Sequence, residues 1–381
     1  MILLLGFGLD LYLPSEPIVM RDLGLNVSQV QLTLSIFMYC FGLGQLIVGP
    51  LVDRFGMQIP LKTSLIVFVL GCVLMYLSSD YKILLFARSL QAFGACGAMV
   101  VSLTLVRLKF SGDEVTKMIT YLKGISCLAP IIAPSLGVYL ALKWGWRADF
   151  MFLAIFGGFA LILSYFLQYP AIDNLAPIKR ENTLKEYINI VNNRRFMVYS
   201  LSAGLVQMTM FGFFSISPLI YIETLKLTEV QFALLFSINA IAFVTIAFGC
   251  GGYIAKIGVD RSLQYSAVLF LTGGVLLLIL KAILGLTIIT IVIPCFISSA
   301  GAAFGLGSSN TGALMPFKQN AGKAAALLGC IEFILGGYLG SWVVYEYIGS
   351  AHPIAICFII AGLTLLIIQY LQFTFVAREK K

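Results

Sequence analysis

The stretch Gly49-Pro50-Leu51-Val52-Asp53-Arg54-Phe55-Gly56 is met again, loosely, as Gly251-Gly252-Tyr253-Ile254-Ala255-Lys256-Ile257-Gly258. Upstream of each copy lies a second matching pair. Leu23-Gly24-Leu25-Asn26-Val27-Ser28-Gln29-Val30-Gln31 corresponds to Leu225-Lys226-Leu227-Thr228-Glu229-Val230-Gln231. Each pair of motifs brackets an apolar run, residues 30–52 and 229–255. About 20 apolar residues suffice to cross a bilayer as a helix, so the repeat predicts a duplicated bundle of membrane helices.

Composition agrees along the whole chain. Of the 381 residues, 60% are hydrophobic and 11% charged, with a mean hydropathy of +0.98. Soluble domains carry roughly 25% charge, so this chain cannot clothe a water-exposed surface. Apolar runs fall at 1–20, 30–52, 59–79, 81–107, 115–142, 146–168, 198–222, 229–255, 261–280, 284–315, 322–346 and 352–376. They predict an all-α, polytopic membrane protein of twelve transmembrane helices in two six-helix pseudo-repeats. Runs this long and uniform do not suit barrel strands. The longest polar stretch divides the chain into an N-terminal six-helix bundle (1–168), a linker (169–197) and a C-terminal six-helix bundle (198–381). Residues 183–191 in that linker suggest a short interfacial helix.

The first run is short. Its N-terminus lacks the basic region and cleavage site of a signal peptide, and the run to Pro14 spans only about 20 Å of a core near 30 Å. Either the natural start lies upstream or the helix continues beyond Pro14 to near Val19.

Placing both termini in the cytoplasm puts eighteen of the 25 basic residues in inner loops and tail and six in outer loops, with Arg88 inside a helix. That bias sets the orientation and explains the net charge of +8 better than a nucleic-acid partner would. The eight cysteines lie in apolar segments without a CxxC pair, and His352 is the sole histidine. No metal or cofactor is therefore expected. An integral membrane enzyme is disfavoured because no HExxH pair is present, and ATP does not drive the cycle because no P-loop is present. Duplicated halves with deep charges point instead to a secondary transporter, with small-molecule cargo, protons and membrane lipid as partners and a monomer as the expected state.

Several residues carry the candidate chemistry. Asp10 lies in an apolar run, where a carboxylate costs a few kcal/mol and is a functional candidate by default. In the fourth run, Arg88-Ser89-Leu90-Gln91-Ala92-Phe93-Gly94-Ala95 places Arg88 about seven residues, roughly 10 Å, below the outer surface. A guanidinium at that depth can offset the cost of Asp10, either for coupling or as a structural ion pair. Lys123 in the fifth run either snorkels to the surface or faces a central cavity. Glu332, near the middle of the eleventh run, is the other carboxylate placed deep in the membrane. Tyr39 lies on one helical stripe with Gln31 and Ser35, and Gln207 and Asn239 are buried amides that suit either cargo contact or interhelical hydrogen bonding. In the 49–56 loop, Gly49 would allow close helix contact, Asp53 and Arg54 would act as a latch, and Gly56 would make the turn. Pro130 and Pro134 in Ala129-Pro130-Ile131-Ile132-Ala133-Pro134-Ser135-Leu136-Gly137 remove two backbone donors and permit a bend.

These motifs support a family assignment. The 49–56 loop resembles the signature loop of the major facilitator superfamily, although Met57 and Gln58 stand where that family has basic residues. The Arg88 segment resembles a further element of it, with Ala92 in place of a glycine, and residues 129–137 resemble the helix-5 element of its antiporters. Together with Asp10-x-Tyr12-x-Pro14-x-x-Pro17 they resemble the Bcr/CflA group of drug:proton antiporters, throughout the first half and more weakly beyond. The resemblance implies export of compounds such as chloramphenicol or bicyclomycin across the bacterial inner membrane by alternating access. It makes Asp10 the protonatable site and Arg88 its coupling partner; Glu332 is a further coupling candidate through its depth in the membrane and not through the resemblance. Lys123 and Glu332 depart from the family, and a cavity holding Arg88 and Lys123 would suit an anionic cargo such as a carboxylate siderophore.

Overall fold

The computed structural model describes residues 1–110, 118, 122, 125–126, 128–167, 169, 183–317, 321–345 and 350–379. It is all-α among these residues. The chain separates into two compact units, Met1–Tyr187 and Ile188–Lys381.

In the first unit, α1 (Leu3–Asp10), a 3₁₀ turn (Leu13–Ser15) and α2 (Glu16–Asp22) form one span. The first helix thus does continue past Pro14, reaching Asp22. Proline is tolerated there because the tighter turn and the fresh helix start do not need its missing N–H. Next come α3 (Val27–Phe55), α4 (Gln58–Leu77), α5 (Tyr81–Lys109), α6 (Ala129–Trp144) and α7 (Arg147–Phe166), and the sequence boundary between the units falls within the short α8 (Thr183–Val191). The second unit holds α9 (Arg194–Pro218), prolonged by a π-helical turn (Leu219–Thr224), then α10 (Glu229–Ile257), α11 (Val259–Leu284), α12 (Ile288–Leu314), α13 (Ala321–Tyr345) and α14 (His352–Glu379).

Eleven helical stretches among the described residues are long and apolar enough to cross a membrane. The twelfth expected span is represented by the shorter α6, and much of its predicted N-terminal half lies outside the described residues. Leu77, Ile155 and Phe166 are among the large apolar side chains turned outward, the arrangement expected where the solvent is lipid.

The internal repeat has a local physical basis. At the start of α3 the Asn26 side chain accepts from Gln29 N at 2.8 Å, while Asn26 N donates to Gln29 Oε1 at 2.9 Å. At the start of α10, Thr228 and Gln231 form the same reciprocal box at 3.2 and 3.0 Å. Both helices are 29 residues long. Both end at a glycine with positive φ, Gly56 at +73° and Gly258 at +86°, a conformation that costs glycine no Cβ clash. Helix pairing follows suit within each unit. The α3–α5, α4–α5 and α4–α7 packings of the first are matched by α10–α12, α11–α12 and α11–α14 of the second.

At one end of the first unit, Asp22 accepts hydrogen bonds from the Trp146 indole N–H at 2.9 Å and from Arg147 Nη1 at 2.8 Å. Arg147 Nη2 donates to the Ser78 carbonyl at 3.0 Å. This pair ties α2 to the start of α7 and the end of α4.

Candidate functional site

The deepest concentration of polar groups in the first unit surrounds Arg88. Its side chain is 0% exposed, and α5 carries it into the space between the first span, α3 and α7. Nη1 donates to the Gly8 carbonyl at 2.8 Å and to Gln91 Oε1 at 2.7 Å. The guanidinium carbon lies 4.4 Å from the Tyr12 ring centre, 5.2 Å from Phe37 and 5.5 Å from Phe150. Aromatic faces attract a cation, more strongly once water is excluded, so three rings do part of the work that solvent does for a surface arginine. Gln91 is itself fixed, its amide Nε2 reaching Cys72 Sγ at 3.2 Å.

Three buried carboxyls share this half of the site. Asp10 is 4% exposed, Glu16 3% and Asp149 0%. Ser15 donates to Asp149 Oδ2 at 2.5 Å, joining the 3₁₀ turn to α7. Glu16 and Asp149 lie within electrostatic reach of Arg88. Glu16 Oε1, Asp149 Oδ1 and Arg88 Nε and Nη2 are buried without a hydrogen-bond partner. The Tyr12 and Thr33 hydroxyls meet at 3.2 Å and close the α3 side.

This corrects two expectations. Arg88 does not pair directly with Asp10; it binds the backbone of the same helix at Gly8, and the carboxyls whose fields reach it are Glu16 and Asp149. Glu332 is not the only other deep carboxylate, because Glu16 and Asp149 are more buried than it is. Both could have been noticed: Glu16 lies inside a span once that span is carried to Asp22, and Asp149 lies near the start of the run 146–168. Glu16 stood between two prolines and resembled a loop residue, while Asp149 resembled a first-turn acid favoured at any helix N-terminus.

Asp10 itself faces α6. A Cβ added to Gly6 would overlap that of Ala129 and stand 3.7 Å from Asp10 Oδ2. A Cβ on Gly137 would overlap the Leu11 carbonyl oxygen, so two glycines let the backbones of the first span and α6 close around the carboxyl.

Of the remaining candidates, Tyr39 is half-buried on α3. Gln207 of α9 is buried and packs on Gly336 of α13, one turn beyond the half-buried Glu332. Asn239 accepts a hydrogen bond from Ser299 Oγ at 2.6 Å, which links α10 to α12. Lys123 lies outside the described residues, as does the side chain of Asp53. Arg54 is exposed, with its guanidinium 5.2 Å from the Phe55 ring centre. Gly56 makes the turn at the end of α3, but Gly49 is not a close-contact glycine: a Cβ there would meet nothing within 4 Å. Pro130 stands in the first turn of α6, where no N–H is missed, and only Pro134 is internal to the described helix. Of the expected pair, one proline is thus internal to a helix among the described residues.

The sequence profile described as Major Facilitator Superfamily matches residues 1–341. The chain is 31% identical to the MFS-type transporter YdgK of Bacillus subtilis, over 90% of this chain and 86% of that protein. It is 30% identical to a chloramphenicol resistance protein of Pseudomonas aeruginosa, over 90% of this chain and 81% of that protein. In fold it is similar to the xylose transporter XylE from E. coli in a partially occluded inward-open conformation. That likeness has a TM-score of 0.74 at 14% identity and covers 98% of this chain and 96% of XylE.

Proposed function

The chain belongs to the major facilitator superfamily and is a multi-pass membrane transporter, not an enzyme; from that premise we propose that it exports drug-like small molecules in exchange for protons. Resistance to chloramphenicol, which the name of the Pseudomonas aeruginosa relative states, supports that cargo class. The observation that carries proton coupling is Asp10, a carboxyl 4% exposed within a span. A group in that position exists to exchange charge, since a permanently buried charge is costly and a neutral apolar residue would pack as well.

In this reading the protein works as a monomer in the bacterial inner membrane with both termini in the cytoplasm. Its two six-helix bundles are residues 1–168 and 198–381, joined by the linker 169–197. Asp10 takes up a proton from outside and releases it inside. Each ligand moves the equilibrium between access states only through its different affinity for them, so cargo and proton exchange by competing for one arrangement. Arg88 positions the first span through Gly8, while Tyr39, Gln207, Asn239 and Glu332 are the groups offered to cargo. Asp53, Arg54 and Gly56 act at the gate with Pro134. The anionic-cargo alternative rests on Arg88 and Lys123 sharing a cavity; Arg88 is buried and engaged by Gly8 and Gln91, and Lys123 lies outside the described residues.

The test is chloramphenicol flux in proteoliposomes under an imposed pH gradient. Asp10→Asn fixes a neutral side chain of the same shape, and proton-driven flux is expected to fall at least tenfold with folding retained. Wild-type flux in that variant would remove Asp10 from coupling, and no gradient-driven flux in wild type would remove chloramphenicol as cargo.

A further inference from the structure

Glu16 and Asp149 have no part in the mechanism above, yet with Asp10 they are the buried acids among the described residues. They come from elements far apart in sequence, α2 and α7, and Asp149 accepts a hydrogen bond from Ser15, the residue before Glu16. Each keeps one oxygen without a partner, and Arg88 faces them with Nε and Nη2 also unpartnered. Their place along the membrane is informative. Glu16 is six residues beyond Asp10, roughly 9 Å nearer the outer surface at 1.5 Å per residue, and Asp149 is the third residue of the inward-running α7.

We propose that Glu16 and Asp149 form a second proton-binding site, lying between Asp10 and the outer face, through which protons reach Asp10. The inference rests on the transport reading for its direction. Charge bookkeeping supports the site itself. One guanidinium can offset one carboxylate. A second buried carboxylate would be charged without a partner, so the two acids together carry one proton when Arg88 is charged. A proton from the outer water forms an O–H bond on the pair's free carboxylate oxygen. The same bond breaks as the proton passes inward to Asp10, and no electrons change hands. The other polar groups of the cluster built around Arg88 and the two acids are Tyr12 and Ser15 of the first span, Thr33 of α3, Cys72 of α4 and Gln91 of α5. The outer-end groups Tyr139 and Lys143 of α6 are exposed.

Infrared titration of the full-length protein in liposomes tests this without any cargo. Subtracting the Glu16→Gln or Asp149→Asn spectrum from that of wild type isolates the carboxyl removed. Both replacements keep shape, and the amide oxygen introduced by Asp149→Asn can still accept from Ser15. At neutral pH at least one difference spectrum is expected to show a protonated carboxyl band that disappears on alkalinisation, and to keep it in an Asp10→Asn background. Absence of that band from both differences at neutral pH overturns the proposal, as does its loss in Asp10→Asn. In the flux assay the double variant should slow proton-driven chloramphenicol transport at least tenfold while chloramphenicol counterflow without a gradient stays within twofold of wild type. Unchanged proton-driven flux in the double variant also overturns it. If wild type carries no chloramphenicol, the transport reading fails on cargo while the infrared result still decides the site.

Discussion

A lysine at position 88 would keep the charge and lose the fit. The guanidinium is planar and spreads over three aromatic faces while Nη1 serves two oxygens at once; an ammonium is a compact, strongly hydrated point charge. Arg88→Lys is therefore expected to destabilise the protein by about 2–3 kcal/mol, the size of a lost charged hydrogen bond plus residual desolvation, and to shift the first span relative to α5. Thermal unfolding in detergent measures this, and an unchanged midpoint would show that the aromatic cage accepts any cation. Single residues were legible in the sequence where polarity broke an apolar run: Asp10 and Arg88 stood out for that reason, and both are buried. What the sequence left hidden was partnership. Whether Arg88 reaches Asp10 or Glu16 depends on how far each helix has turned at that depth, and on the backbone carbonyl of Gly8, which no side-chain pattern announces.

Glycines separate packing from permissiveness at the level of helices. Gly137 meets the backbone of Leu11 so closely that any Cβ would overlap its carbonyl oxygen, whereas Gly49 faces open space. Gly137→Ala should cost about 1–3 kcal/mol through overpacking, because the obstacle is main chain and not the end of a flexible side chain. Gly49→Ala should be neutral or stabilise α3 by up to about 1 kcal/mol through helix propensity. Comparing the two melting temperatures checks both, and equal effects would refute the distinction. Sequence alone could rank neither, since each glycine sits in an apolar helical run with a plausible motif around it. Helix ends were more readable: Asn26 with Gln29 and Thr228 with Gln231 are local signals, complete within four residues. The 3₁₀ turn after Pro14 was half-legible, as an expectation of continuity without its form.

At the scale of the whole molecule, duplication in the sequence corresponds to matched helix pairings inside the two units. Hydropathy reads this well because lipid forces every span to satisfy its own backbone. The least readable span was the fifth, where only Ala129–Trp144 is a described helix and where Lys123 was expected to act. The orientation proposed from the charge asymmetry between loops makes a simple prediction. Green fluorescent protein fused after Lys381 should fluoresce, and alkaline phosphatase at the same point should be inactive. The reverse pattern would place the termini outside and turn the proposed proton path around.

The 3₁₀ turn has a rotational consequence. Six steps of roughly 100° would set Glu16 about 120° around the axis from Asp10 in an unbroken α-helix. A 3₁₀ turn advances about 120° per residue, so three such steps at Leu13–Ser15 add about 60° and narrow the separation to about 60°. The two acids are brought into phase on one flank of the span. Pro14, by admitting the tighter winding, acts as an angular gear between the buried carboxyl of α1 and the one that opens α2.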